Sequence, residues 1–162
     1  PEQDAALYAK FLIEELKPMI DAEYRTLPDR AHTAVMGSSM GGIVSLYLAY
    51  YHHDVFGMAG CLSTTVRPPD RALYTKAWRK DSPLHKVRLW VDYDAPRPTD
   101  EKGSYRWNSD EFLQQWDWGQ GENFVIKGIA GEHNEAAWRS RMDEVMLFLF
   151  GPMMQENSRP GT

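Results

Sequence analysis

Cysteine is nearly absent. Cys61 stands alone, so neither a disulfide framework nor a cysteine-based metal site can be built within the chain. Its place in the apolar run Phe56 to Leu62 marks it as a small core residue. Long hydrophobic runs are lacking too: none approaches the roughly 20 residues a membrane-spanning helix needs, and no signal peptide is evident. Positive charge is in deficit. The 18 Lys and Arg face 23 Asp and Glu, for a net charge of -5, and the longest basic stretch is Trp78-Arg79-Lys80. A nucleic-acid partner is therefore not expected, nor a membrane one. There is no internal repeat and no low-complexity segment. The chain opens at Pro1 without an initiator Met, which reads as a mature form or a fragment. A soluble, cytoplasmic protein is the expectation.

What is present suffices for a packed domain: 162 residues, 43% of them hydrophobic. Leu7, Phe11, Leu12, Leu16, Met19 and Ile20 recur at helical spacing and predict a helix from Asp4 to about Glu23, with a kink or a second short helix at Pro18. Thr33 to Met36 has strand length and is followed by a helical run from Ile43 to Tyr51. Phe56 to Leu62 and Val87 to Val91 read as strands, separated by a connection with a short helix at Asp70 to Trp78. After a polar loop from Asp92 to Asn108, Ser109 to Trp118 reads as a helix with Ser109 as N-cap. Asn123 to Ile129 is a strand. Ala136 to Phe150 is a helix stopped by Gly151-Pro152. Residues 1–154 form one domain and 155–162 a flexible tail. Strands alternating with helices imply an α/β fold, a mainly parallel sheet with helices on both faces.

Gly37-Ser38-Ser39-Met40-Gly41-Gly42 lies between a strand and a helix and fits G-x-S-x-G with Ser39 at its centre. A nucleophilic serine needs a sharp turn that lifts its Oγ above the sheet, and a side chain at Gly37 or Gly41 is expected to collide with the neighbouring backbone. The helix that follows aims its free amides at the same spot, so the Met40 N–H becomes the candidate oxyanion donor. Ser38 lacks the two-residue spacing to both glycines. In hydrolases with this turn, an Asp or Glu and then a His follow the serine. His133 lies after the last strand, where the base belongs. His32, His52, His53 and His85 do not, and His52-His53 diverge too far to pair on a metal. The acid should follow the strand Val87 to Val91, where Asp92, Asp94, Asp100 and Glu101 crowd one loop and chemistry alone does not choose among them.

Together these residues resemble the esterase D group of α/β hydrolases, which includes feruloyl esterases, enterochelin-type esterases and mycolyltransferases. The likeness runs from about Ala6 to Phe150. It rests on Leu16-Lys17-Pro18 with Ile20-Asp21 and Tyr24-Arg25-Thr26, on the Gly37 to Gly42 turn, on Phe56-Gly57 with Cys61-Leu62-Ser63, and on Gly131-Glu132-His133-Asn134-Glu135 with Trp138. The resemblance implies a serine carboxylic-ester hydrolase with Ser39, His133 and an acid. Counting back from Asn108 in the group's pattern ranks Glu101 first, Asp100 second and Asp92 third. It implies a small-molecule ester substrate, and neither cofactor nor metal. Acyl transfer by the same fold is the alternative, as is a truncated, non-catalytic domain. Tyr105, Trp107, Trp116 and Trp118 crowd the region after the acid loop, where packing a helix on the sheet is the commoner role and stacking on a sugar or phenolic acyl group the functional one, and Tyr74 or Trp78 is expected near the pocket. Domains of the group are longer at the N-terminus, which would hold further strands and the loop giving the second oxyanion amide. The chain is thus expected to lack those strands, to leave Thr33 to Met36 at the sheet edge, and to pair with the missing segment or with itself.

Overall fold

The computed structural model describes residues 2–66, 71–102, 104–114 and 123–157. Its centre is a four-stranded, wholly parallel sheet of β1 (Ala34–Ser38), β2 (Met58–Leu62), β3 (Arg88–Asp94) and β4 (Phe124–Ile129), ordered as in the chain. β2 is buried along its whole length, and β3 along all but Arg88, as expected of parallel strands covered on both faces. On one side α3 (Met40–Tyr51), α4 (Arg71–Ala77) and α5 (Tyr105–Gln114) contribute Leu46, Tyr74 and Leu113 to a core with Ala59, Cys61, Leu89 and Val91. On the other, α6 (Glu135–Arg139) and α7 (Met142–Asn157) pack Trp138, Val145 and Leu149 on Met58, Leu62 and Trp90. The alternating Cβ direction of a strand sorts β3 accordingly, with Leu89, Val91 and Tyr93 to one core and Trp90 to the other. β1 is an edge of the sheet among the described residues, as its sequence position implied. No helix among those residues is long and apolar enough to cross a membrane.

Several boundaries differ from expectation, each for a local reason. The first helical stretch is one continuous run of α1 (Glu2–Lys10), a π-helical segment (Phe11–Leu16) and α2 (Lys17–Glu23). Pro18 cannot donate to the carbonyl four residues back, and the ladder widens just ahead of it: the Lys17 amide bonds Leu12 O. Pro18 falls in the first turn of α2, directly after this widened turn. Its buried side is Ala9 with Ala5, Leu12 and Ile13 packed nearby, against Tyr47 and Leu48 of α3, while Leu7, Phe11 and Met19 of the expected stripe are exposed.

α5 begins at Tyr105, so Ser109 is an interior residue and not a cap; its buried Oγ accepts the amide of Val66 instead. The helix expected over Ala136 to Phe150 is two helices, α6 and α7. Gly151-Pro152 does not stop α7, which runs to Asn157. A proline at 152 deprives the Phe148 carbonyl of its helical donor, and Arg88 Nη1 donates to that oxygen at 3.3 Å. Residues 155–157 of the expected tail are thus helical, and 158–162 lie outside the described residues.

Cys61 is fully buried, and burial together with the nearby Asp92 carboxylate pushes its thiol far above the usual range. The folded protein should leave Ellman's reagent unreacted at neutral pH and release one equivalent of thiol in denaturant. Rapid reaction without denaturant would contradict a closed core around β2.

Candidate active site

The chain leaves β1 and enters α3 with one residue between them, Ser39, whose φ of 56° and ψ of -118° lie outside the regions that side-chain-bearing residues favour. The surroundings hold it there. The Ser39 amide donates to Leu62 O at 2.9 Å, and the Gly42 amide donates to Ser39 O at 3.1 Å. A Cβ on Gly37 would stand 2.7 Å from the Gly41 backbone, so only glycine permits the turn there. The collision expected at Gly41 does not occur, since a Cβ there would meet nothing within 4 Å. The tight neighbour is Gly42, where a Cβ would lie 3.1 Å from Leu62 O. Its bareness lets α3 settle against β2. Met40 opens α3, so its amide has no acceptor within the helix.

Ser39 Oγ lies 2.8 Å from His133 Nε2, as the strand–turn–helix and the histidine position implied. His133 comes from the loop between β4 and α6, and its ring meets Trp138 edge to face at a centroid distance of 5.2 Å. The acid against its other nitrogen is not the one favoured from the sequence. His133 Nδ1 is 2.6 Å from Asp94 Oδ2, and the Asp94 side chain is only 4% exposed. Glu101 is exposed. Asp100 accepts the Arg97 amide at 2.8 Å and lies 3.7 Å from Arg106 Nε. Asp92 is fully buried and engaged elsewhere. The reason is that β3 runs three residues further than expected, to Asp94. Asp92 and Asp94 are strand residues, two apart on the face that looks toward α6 and the histidine loop, and Asp94 is the one at the sheet's C-terminal end. The alternation Leu89, Val91, Tyr93 against Trp90, Asp92, Asp94 was the available signal.

Asp92 anchors a buried polar cluster. Arg141, from the bend between α6 and α7, grips it with Nε at 2.9 Å and Nη2 at 2.8 Å, and Trp90 Nε1 donates at 2.8 Å. The Ser63 amide donates to the same carboxylate at 2.6 Å. Such a two-pronged guanidinium–carboxylate pair is favourable only while both partners stay. Arg141→Met should therefore destabilise the fold by about 3 kcal/mol or more, because it strands a buried carboxylate. Urea denaturation measures this, and a loss below about 1 kcal/mol would show that the remaining donors suffice.

The Esterase family model, described as Putative esterase, matches residues 2–149. The chain belongs to this family. No curated protein sequence matches it. Among solved structures, it is similar to the enterobactin esterase of Shigella flexneri, with a TM-score of 0.74 at 19% identity over 91% of this chain and 39% of that one. A ferulic acid esterase gives 0.61 at 21% identity, covering 88% of this chain and 60% of that one. The S-formylglutathione hydrolase of Staphylococcus aureus gives 0.60 at 16% identity, over 90% and 65%. At these identities the likeness concerns the fold. The chain spans about two fifths of the length of the enterobactin esterase.

In this member of the esterase family, Arg97 of the loop from 95 to 101 and Arg106 of α5 brace the segment just ahead of His133. Arg106, 4% exposed, donates to Ala95 O and to Gly131 O, each at 3.0 Å. Arg97 reaches the same Gly131 carbonyl and pairs with Glu132 at 2.7 Å. Both arginines clamp the residues just ahead of His133, a role the sequence did not reveal. Tyr74 and Trp78 are not pocket walls. Both are buried core residues, and the Tyr74 hydroxyl bonds Thr64 Oγ1. Tyr105 and Trp107 belong to α5, but their side chains lie outside the described residues, as do Trp116 and Trp118 entirely. Among the described residues no group of three or more His, Cys, Asp or Glu is gathered to hold a metal.

Proposed function

We propose that the chain carries the site of a serine carboxylic-ester hydrolase working through an acyl-enzyme, with Ser39, His133 and Asp94 as catalytic triad. The observation that carries this reading is the unbroken line of hydrogen bonds from Ser39 Oγ through both nitrogens of His133 to Asp94. An ionised Asp94 can only accept, so it holds the imidazole proton on Nδ1 and leaves the Nε2 lone pair facing the serine. Ser39 Oγ then attacks the ester carbonyl while Nε2 takes its proton, and the charge on Asp94 stabilises the imidazolium that forms. The negative oxygen of the tetrahedral intermediate falls beside the Met40 amide at the positive end of α3. Collapse expels the alcohol, which recovers the proton from Nε2, and water removes the acyl group by the same steps in reverse. The substrate class is a small ester. Nothing in the roles of these residues requires a metal or an organic cofactor.

A fluorophosphonate probe tests the reading, because it forms a bond only with an activated serine. One label per chain is expected, on the peptide that holds Ser39, together with turnover of a nitrophenyl ester. A chain that takes up no label, or that is labelled at another serine, would refute the proposal.

A further inference from the structure

Ser63 stands just beyond the end of β2, fully buried, with a φ of 41°. A left-handed backbone favours glycine, so a serine there carries a conformational cost. Its hydroxyl lies between two partners of fixed character. Arg141 Nη2 is 2.8 Å from Ser63 Oγ, and a guanidinium can only donate. The hydroxyl oxygen therefore accepts from Arg141, and its proton is left for Asp94 Oδ1 at 2.6 Å. The two oxygens of Asp94 are thereby divided, Oδ1 to Ser63 and Oδ2 to His133. Rotation about the last bond of an aspartate is soft. Ser63 fixes Oδ1 by a hydrogen bond, while His133 and, at 3.9 Å, Arg106 Nη2 lie on the Oδ2 side. Arg141 is in turn fixed on Asp92, and Asp92 on the Ser63 amide, so the cluster closes on itself.

We propose that Ser63 is a positioning residue for the reaction: locked by the Arg141–Asp92 pair, its hydroxyl sets the rotation of Asp94 and through it the aim of His133 at Ser39. The proposal rests on the triad reading above. It assigns the buried ion pair behind the sheet a part in turnover beyond stability.

The test uses the 162-residue chain with Ser63→Gly and Ser63→Ala. Both delete the hydroxyl, and glycine also relieves the left-handed backbone, so loss of folding does not obscure the result. For a nitrophenyl ester, kcat should fall roughly 10- to 100-fold with KM nearly constant, while the glycine variant melts at or near the wild-type temperature. Because Ser63 acts through Asp94, adding Ser63→Gly to Asp94→Asn should change kcat by less than about twofold. Proton NMR supplies a readout independent of turnover. The His133 Nδ1 proton, expected far downfield in the wild type from its 2.6 Å contact with Asp94, should shift upfield or broaden away in Ser63→Gly. An unchanged kcat, or losses that multiply in the double variant, would overturn the proposal. Should the wild type cleave no ester and resist the fluorophosphonate, the esterase reading falls, and the imidazole proton still decides the question for Ser63: altered in Ser63→Gly upholds the positioning role, unaltered rejects it.

Discussion

Ser39→Ala is expected to lower kcat for a nitrophenyl ester by roughly four to six orders of magnitude while leaving thermal unfolding nearly unchanged. The size of the effect follows from the role proposed for the hydroxyl, which forms and breaks a covalent bond and has no substitute once removed. The small structural effect follows from the turn. Its conformation is enforced by Gly37, by the Ser39 amide on Leu62 O and by the first bonds of α3, none of which uses the side chain. Alanine at a φ of 56° is strained no more than serine. Ser38, the last residue of β1, is the control. Ser38→Ala should retain activity within a few-fold. If Ser39→Ala still turned over the ester while Ser38→Ala did not, the nucleophile would be reassigned to the neighbouring position.

Asp94→Asn should reduce kcat by about ten thousandfold. An asparagine that turns its NH2 toward His133 would select the wrong tautomer and place a proton on Nε2, where the lone pair is needed. One that turns its oxygen there supplies no charge for the imidazolium. Asp94 is nearly buried, so water replaces neither function. Glu101→Gln, at an exposed position, should alter kcat by less than about twofold on the same geometry. Asp100→Asn should act mildly, through the Arg97 and Arg106 clamp. Asp92→Asn is the informative contrast, since it weakens the grip of Arg141 and should cost stability first. The two effects separate by measuring kcat and urea midpoints on the same four variants. A variant at Glu101 that lost activity as severely as Asp94→Asn would restore the acid favoured by the family pattern and require a rearranged loop.

Much of the architecture was readable along the chain because its signals are local. The order of strands and helices follows from hydrophobic periodicity, and consecutive β–α–β units leave few ways to arrange a sheet. The glycines around Ser39 declare a steric requirement that any fold must meet. His133 could be found by its place after the last strand. The sequence failed where an outcome depended on the far side of the molecule. Gly151-Pro152 reads as a helix stop until Arg88, some sixty residues earlier, supplies a donor to the orphaned Phe148 carbonyl. Ser109 reads as a cap until the Val66 amide claims its hydroxyl. Tyr74 and Trp78 read as a pocket wall until α4 is seen packed into the core.

The choice of acid shows the same division most clearly. Sequence by itself determined an α/β chain of the esterase family type, with a serine on a strand–turn–helix, a histidine in the loop after the last strand, and several carboxylates near the end of the third strand. These are properties of short segments, set by backbone sterics and by side-chain period. Which carboxylate meets the histidine was decided only by the tertiary structure. It depends on where β3 stops pairing with β4, at Asp94 opposite Ile129, and on which face that pleat presents. Arg141 draws Asp92 into the interior, and Arg97 and Arg106 hold Asp100 against the loop, so Asp94 alone among the acids considered reaches His133. Contacts between residues far apart in sequence carry no periodicity, and a one-residue slip in the pairing register of a strand turns its side chains to the opposite face of the sheet.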